Sequence, residues 1–142
     1  MKPVQILLVE DAAGDILLFR QVVSENSVPI KLDVATDGQQ AVSMLEDPVF
    51  QPDLIILDLN IPKISGHELL EQRKLREFPV VVFSSSWNDA DARRTLEFGA
   101  CDYVRKPIDI DDFTHAVLGM IEKWATPKNN VEAEKSTHQQ HR

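Results

Sequence analysis

Five short apolar runs recur along this chain, at residues 4–9, 32–35, 54–57, 80–83 and, more weakly, 103–104. The clearest of them are almost continuously apolar instead of alternating, the pattern of strands buried on both faces. Strands of that kind belong to parallel sheets, because the crossover between parallel neighbours lays a helix over the sheet. The stretches between the runs read as those helices. The first extends from about Asp15 to Ser24, with Ile16, Leu17, Phe19, Val22 and Val23 as its apolar set. The second follows Asp37-Gly38, carries Ala41, Val42 and Leu45, and ends at Asp47-Pro48. The third opens at Ser65, with Glu68 three residues later as a capping box. The fourth spans roughly 89–98 and stops at Gly99, a helix-ending residue. The fifth has Asp109 as its N-cap and Phe113, Ala116, Val117, Met120, Ile121 and Trp124 as one stripe at helical spacing. Strand–helix alternation repeated five times predicts right-handed βαβ units and a three-layer α/β sandwich.

The 142 residues suit one domain with an appendage. The domain is expected to occupy 1–125. Residues 126–142 contain one large aliphatic, Val131, and are otherwise mostly polar. Such a tail cannot bury enough apolar surface to offset its ordering entropy, so it is expected to be disordered. The 15 basic and 23 acidic residues leave a net charge of −8, which argues against non-specific binding to nucleic acid or to an anionic membrane. The single cysteine, Cys101, excludes an intramolecular disulfide and fits a reducing cytoplasm; it reads as a small buried hydrophobe before it reads as a reactive thiol. The apolar run near the N-terminus is cut by Glu10 and Asp11, too early for a secretory signal, and no stretch approaches the ~18 apolar residues of a membrane span. A soluble, cytoplasmic protein is expected.

Ligands of open α/β sheets bind beyond the carboxyl ends of the strands. Glu10 and Asp11 follow the first run, Asp58 the third, Ser84, Ser85 and Ser86 the fourth, and Lys106-Pro107 the fifth. The second run ends at Ala35-Thr36 with no comparable group. Taken singly, each is ordinary turn chemistry: polar residues ending a strand, an aspartate before Pro62, a serine in a turn, a solvated Lys-Pro pair. Taken together, four turn accidents all falling at carboxyl ends are improbable. Three converging carboxylates repel one another and call for a counter-charge, which Lys106 supplies in part and a hard divalent cation such as Mg²⁺ would supply further. A metal, a lysine and a hydroxyl around an accessible aspartate suit phosphoryl transfer, with the carboxylate itself as nucleophile.

Four segments together resemble the response-regulator receiver domains of two-component signalling. They are residues 6–11 (ILLVED), 53–62 (DLIILDLNIP) with Gly66 beyond, 79–85 (PVVVFSS) and 99–107 (GACDYVRKP). The resemblance covers about residues 4–124. It implies a doubly wound, flavodoxin-like (βα)5 sandwich with a parallel five-stranded sheet of order 2-1-3-4-5. It further implies that Asp58 accepts a phosphoryl group from a phosphohistidine of a sensor histidine kinase. Mg²⁺ would be held by Asp11, Asp58, the backbone carbonyl of Asn60 and, through water, Glu10. Ser84 and Lys106 would contact the phosphoryl group, Tyr103 would change rotamer as Ser84 moves, and the Lys106–Pro107 bond would be cis. Glu10 stands where aspartate is more frequent, Ser84 where threonine is common, and the stretch between the third helix and the fourth strand is short, so that region is expected to differ in detail. The residues 13–15 (AGD), the 58–62 segment and the triple serine resemble stand-alone receivers, several of which serve phytochrome-type kinases.

No effector domain is evident, so the output is expected to be a protein contact: a downstream target, a phosphorelay partner or a second copy. Exposure of Trp124 at the end of the last helix would mark a homodimer face formed with the fourth helix and fifth strand. A constitutive docking or stator module without phosphorylation is the competing reading, and the intact Asp58, Asp11, Ser84 and Lys106 set argues against it. A flavin or nucleotide fold is disfavoured because Ala12-Ala13-Gly14 is not a phosphate-binding glycine loop. Residues 1–125 hold 12 basic and 21 acidic side chains, and Glu10, Asp11 and Asp58 account for a third of that excess.

Overall fold

The computed structural model describes residues 2–86 and 88–125. Its elements in chain order are β1 (Val4–Val9), α1 (Ala13–Glu25), β2 (Ile30–Ala35), α2 (Gly38–Glu46), β3 (Leu54–Leu57) and α3 (Gly66–Leu70). A 3₁₀ turn (Leu75–Glu77), β4 (Val80–Ser84), α4 (Asp89–Glu97), β5 (Asp102–Arg105) and α5 (Ile110–Trp124) complete it. The sheet is wholly parallel, in the order β2-β1-β3-β4-β5. The fold is therefore the doubly wound (βα)5 sandwich that the apolar runs and the resemblance lead one to expect.

The pleat explains why the central runs are continuously apolar. Alternate residues of each strand supply two separate cores. Leu7, Val9, Ile55, Leu57, Val80, Val82 and Tyr103 face α2, α3 and α4. Val4, Ile6, Leu8, Leu54, Ile56, Val81 and Phe83 face α1 and α5. The second core is closed by Phe19 and Val22 of α1 and by Phe113, Val117, Met120 and Ile121 of α5, with the Phe83 and Phe113 rings 5.3 Å apart. β1, β3 and β4 are buried almost throughout, whereas the edge strands β2 and β5 are only half-buried.

Helix termini follow the side chains that cap them. Asp37, Asn88 and Asp109 each accept backbone N–H bonds at an N-terminus, and the Ser65 hydroxyl accepts from the Glu68 amide. α4 ends at Gly99, whose φ of 102° favours glycine. α1 differs from expectation. It begins at Ala13 rather than Asp15, and its N-cap, Ala12, has no capping side chain. The helix is placed by its buried face, and Asp15 falls in its first turn. α3 has five residues, and the 3₁₀ turn follows it before β4.

Three further expectations meet the structure. Trp124 is half-buried rather than fully exposed. It packs against the α1/α5 core, its Nε1 donates to Asp102 Oδ2 at 3.3 Å, and the Lys123 ammonium lies 5.0 Å from its ring. The Lys106–Pro107 bond is trans, as no peptide bond among the described residues is cis; trans is the lower-energy form of an X–Pro bond by about 0.5–1 kcal/mol. Cys101 is partly buried against the α1/α5 core. The expected disordered tail, 126–142, lies outside the described residues. Among those described, no helix is long and apolar enough to cross a membrane.

Candidate functional site

The strands deliver their terminal residues with fixed registry. The Glu10 amide donates to Ala35 O at 2.9 Å, the Asp58 amide to Val9 O at 3.0 Å, and the Lys106 amide to Ser84 O at 2.8 Å. The sheet ladder thus runs one residue past each strand and fixes the backbone of all three. Their parity does the rest. Glu10, Asp58 and Lys106 each continue the alternation that points toward α1 and α5. Ser84 and Tyr103 continue the opposite alternation, toward α2, α3 and α4.

The first group meets. Lys106 donates to Asp58 Oδ2 at 3.0 Å and to Asp15 Oδ2 at 2.9 Å, and it forms a third bond with Glu10 Oε2. Glu10 is 2% exposed, Asp58 7% and Lys106 8%, so the three charges are screened little by water. The remaining carboxylate oxygens are held by backbone. Glu10 Oε1 accepts from the amides of Asp11 and Ala12, each at 3.1 Å, and Asp58 Oδ1 accepts from the amide of Asn60 at 3.1 Å. Asp11 is exposed, yet its carboxylate lies with those of Glu10 and Asp58, one oxygen from each being within 4.8 Å of the others. That donor set consists of hard oxygens only, one of its carboxylates being exposed, and fits a hard divalent cation that retains waters.

The second group meets elsewhere. Ser84, fully buried, has its hydroxyl 3.1 Å from that of Ser86, and the Tyr103 hydroxyl donates to Ser86 O at 2.7 Å. Ser86 therefore joins Ser84 and Tyr103 on that face, and the Ser84 hydroxyl is directed to Ser86. Asn60, just past Asp58, is exposed.

Two residues of this neighbourhood escaped sequence reasoning. Asp15 reads from sequence as the start of a helix and carries no signal that it reaches Lys106. Ser86 had no signal beyond membership of the serine triplet, because its role depends on the path of the β4–α4 loop.

Burial pushes the Glu10 carboxyl up to about 7, against the opposing pull of its hydrogen bond to Lys106. Burial by itself would lower the Lys106 ammonium, but the hydrogen bonds it donates to Glu10 and Asp15 and the charge of Asp58 outweigh it and hold the group above its ordinary value. A stability profile should record the first of these. With Glu10 raised from 4.5 to about 7, the native state keeps a proton that the unfolded chain gives up. In chelator-containing buffer this contribution is present below the lower value and lost as pH rises through the upper one. Urea midpoints for Glu10→Gln should show a flatter profile over that window than the parent; parallel profiles would assign the slope to another group.

The relatives of this chain bear on what such a pocket does. The model of the "Response regulator receiver domain" family matches residues 6–118. Response regulator Rcp1 of Synechocystis sp. is 33% identical over 131 residues, which cover 86% of this chain and 89% of that protein. The crystal structure of the phosphorylated cyanobacterial phytochrome response regulator RcpA superposes with a TM-score of 0.80 at 32% identity, covering 87% of this chain and 94% of that one. The Mn²⁺-bound form of Rcp1 gives 0.79 at 32% identity, covering 87% and 95%. With five parallel strands in the order 2-1-3-4-5, an acidic pocket at their carboxyl ends and a family match across most of its length, this chain belongs to the response regulator receiver domain family.

Proposed function

We propose that residues 1–125 are a receiver domain in which Asp58 accepts a phosphoryl group from a phosphohistidine of a sensor histidine kinase, in a Mg²⁺-dependent reaction. The observation that carries this reading is the convergence of Asp58 with Glu10 and Asp11 on one side and with the Lys106 ammonium, 3.0 Å away, on the other. A carboxylate oxygen of Asp58 attacks phosphorus, the P–N bond to the imidazole breaks, and the electron pair returns to the ring nitrogen. Mg²⁺, when bound, supplies charge neutralisation on the phosphoryl oxygens. Lys106 exchanges a hydrogen bond to Asp58 for one to a phosphoryl oxygen, and Asp11, Asp58, the Asn60 carbonyl and, through water, Glu10 would hold the cation. Ser84 turns its hydroxyl toward the phosphoryl group, which breaks its contact with Ser86. Because Ser86 also binds the Tyr103 hydroxyl, that movement reaches Tyr103. The ~1.5–2 negative charges added at Asp58 thereby bias the β4–α4 region between two arrangements.

The similar structures, phosphorylated RcpA and Mn²⁺-bound Rcp1, support phosphorylation and divalent-cation binding here, and RcpA, a phytochrome response regulator, supports a phytochrome-type kinase as partner. Leu17, two residues after Asp15, and Ile108 and Ile110, just past Lys106, are exposed apolar side chains and would meet the kinase. The signal then passes in the cytoplasm to a downstream protein, a phosphorelay partner or a second copy of the chain. Exposed Leu96 on α4, together with the half-buried Trp124, is an apolar residue that a homodimer face on α4, β5 and α5 would use.

Intact mass after incubation with Mg²⁺ and phosphoramidate tests the central step. A gain of one phosphoryl group that Asp58→Asn abolishes is expected. A folded parent that gains nothing with Mg²⁺ present would sink the proposal and favour a constitutive docking module.

A further inference from the structure

An ammonium has three hydrogens, and all three of those on Lys106 are used, by carboxylates from three different elements. Glu10 follows β1, Asp58 follows β3, and Asp15 stands in the first turn of α1. The three partners are not equivalent. Glu10 is also tied to the amides of Asp11 and Ala12, and Asp58 to the amide of Asn60. Among the described residues Lys106 is the one hydrogen-bond partner of the Asp15 side chain, which is 35% exposed. Asp15 therefore contributes to the pocket through Lys106 alone.

We propose that Asp15 is a positioning residue that, with Glu10, anchors the Lys106 ammonium while its third hydrogen moves from Asp58 to a phosphoryl oxygen. This role rests on Asp58 being the phosphoacceptor. Two anchors fix where the third N–H points; one anchor leaves the ammonium free to swing about the Glu10 contact. Held in place, the ammonium meets the phosphoryl oxygen without first being ordered, which is how a fixed neighbour lowers a barrier without touching the reacting atoms. The placement comes from α1 starting at Ala13, which sets Asp15 in the first turn of the helix and within reach of Lys106, just past β5.

The test has two readouts. In metal-free, unphosphorylated protein, the Lys106 Nζ should give a slowly exchanging ammonium signal in ¹H–¹⁵N spectra, assigned by its loss in Lys106→Met. Asp15→Asn should speed its exchange roughly tenfold or more, since a charge-assisted bond is lost, and Asp15→Glu should restore much of the protection. In phosphoramidate kinetics with Mg²⁺, Asp15→Asn should lower the saturating uptake rate several-fold without raising the half-saturating donor concentration, and Asp15→Glu should recover it. A Lys106 signal that is absent in the parent, or unchanged in Asp15→Asn, would overturn the proposal. So would a faster uptake rate in Asp15→Asn, which would make Asp15 a competitor of the phosphoryl group. A parent that takes up no phosphoryl group would instead sink the assignment of Asp58, whatever the spectra show.

Discussion

Lys106→Met should cost about 3 kcal/mol or more of stability at pH 8 in chelator-containing buffer, the usual result of removing one partner from a buried ionic cluster. The parent ammonium is 8% exposed and satisfies Glu10, Asp15 and Asp58 at once. Methionine fills a similar volume but leaves three carboxylates facing one another. The deficit should shrink as pH falls, because Glu10, already pushed up to about 7 with Lys106 present, then takes a proton and one of the repelling charges disappears. Mg²⁺ should restore stability to the variant by a larger increment than to the parent, since the cation replaces the lost counter-charge. Urea midpoints at pH 8 and at pH 5.5, each with chelator or with Mg²⁺, test all three points. Equal midpoints for parent and variant at pH 8 would mean that water, and not Lys106, screens the cluster. Phosphoryl uptake by the folded variant should be nearly lost.

Gly66→Ala should be destabilising by about 2–3 kcal/mol and should also disturb the pocket, although Gly66 touches none of its charged groups. A Cβ on Gly66 would lie 2.4 Å from the Leu59 Cα and 3.0 Å from the Asp58 carbonyl oxygen. Those atoms are backbone, so the clash cannot be relieved by a rotamer change. Either α3 moves away, breaking the Gly66 N–H bond to Leu59 O at 3.0 Å, or the segment carrying Asp58 shifts. Inserting one methyl into such a close approach typically costs 1–3 kcal/mol. The expected result is a lower urea midpoint with weakened Mg²⁺ binding by calorimetry, the second effect persisting at temperatures where the variant is fully folded. Normal stability and normal cation binding together would show that α3 yields without cost.

Much of the fold is legible in the chain because it depends on local pattern. Continuous apolar runs of about strand length specify central parallel strands, since both faces are covered and the pleat leaves no polar side. The caps Asp37, Ser65 and Asp109 and the terminator Gly99 are equally local. α1 shows where that reasoning fails. Without a capping side chain at Ala12, the sequence offers no start signal, and the helix reads as beginning near Asp15 although Asp15 is its third residue.

The sequence by itself determined the βα alternation, the carboxyl-end location of the pocket and the identities of Glu10, Asp11, Asp58, Ser84 and Lys106 as candidates, because each follows directly from where an apolar run stops. Only the tertiary structure decided which of them meet. Strand register and pleat parity carry Glu10, Asp58 and Lys106 to the α1 side and Ser84 and Tyr103 to the other, and a parity is not visible until the register between distant strands is known. The same holds for Asp15 and Ser86, which gain their roles from packing across 91 and 17 residues of chain respectively. It holds for Trp124 too, whose place at the end of an apolar stripe suggested a free face until its indole met Asp102. The net negative charge that composition reports as a sum is, in the folded chain, partly concentrated as three carboxylates around one ammonium. That arrangement exists only because the sheet brings strand ends together that are far apart in sequence.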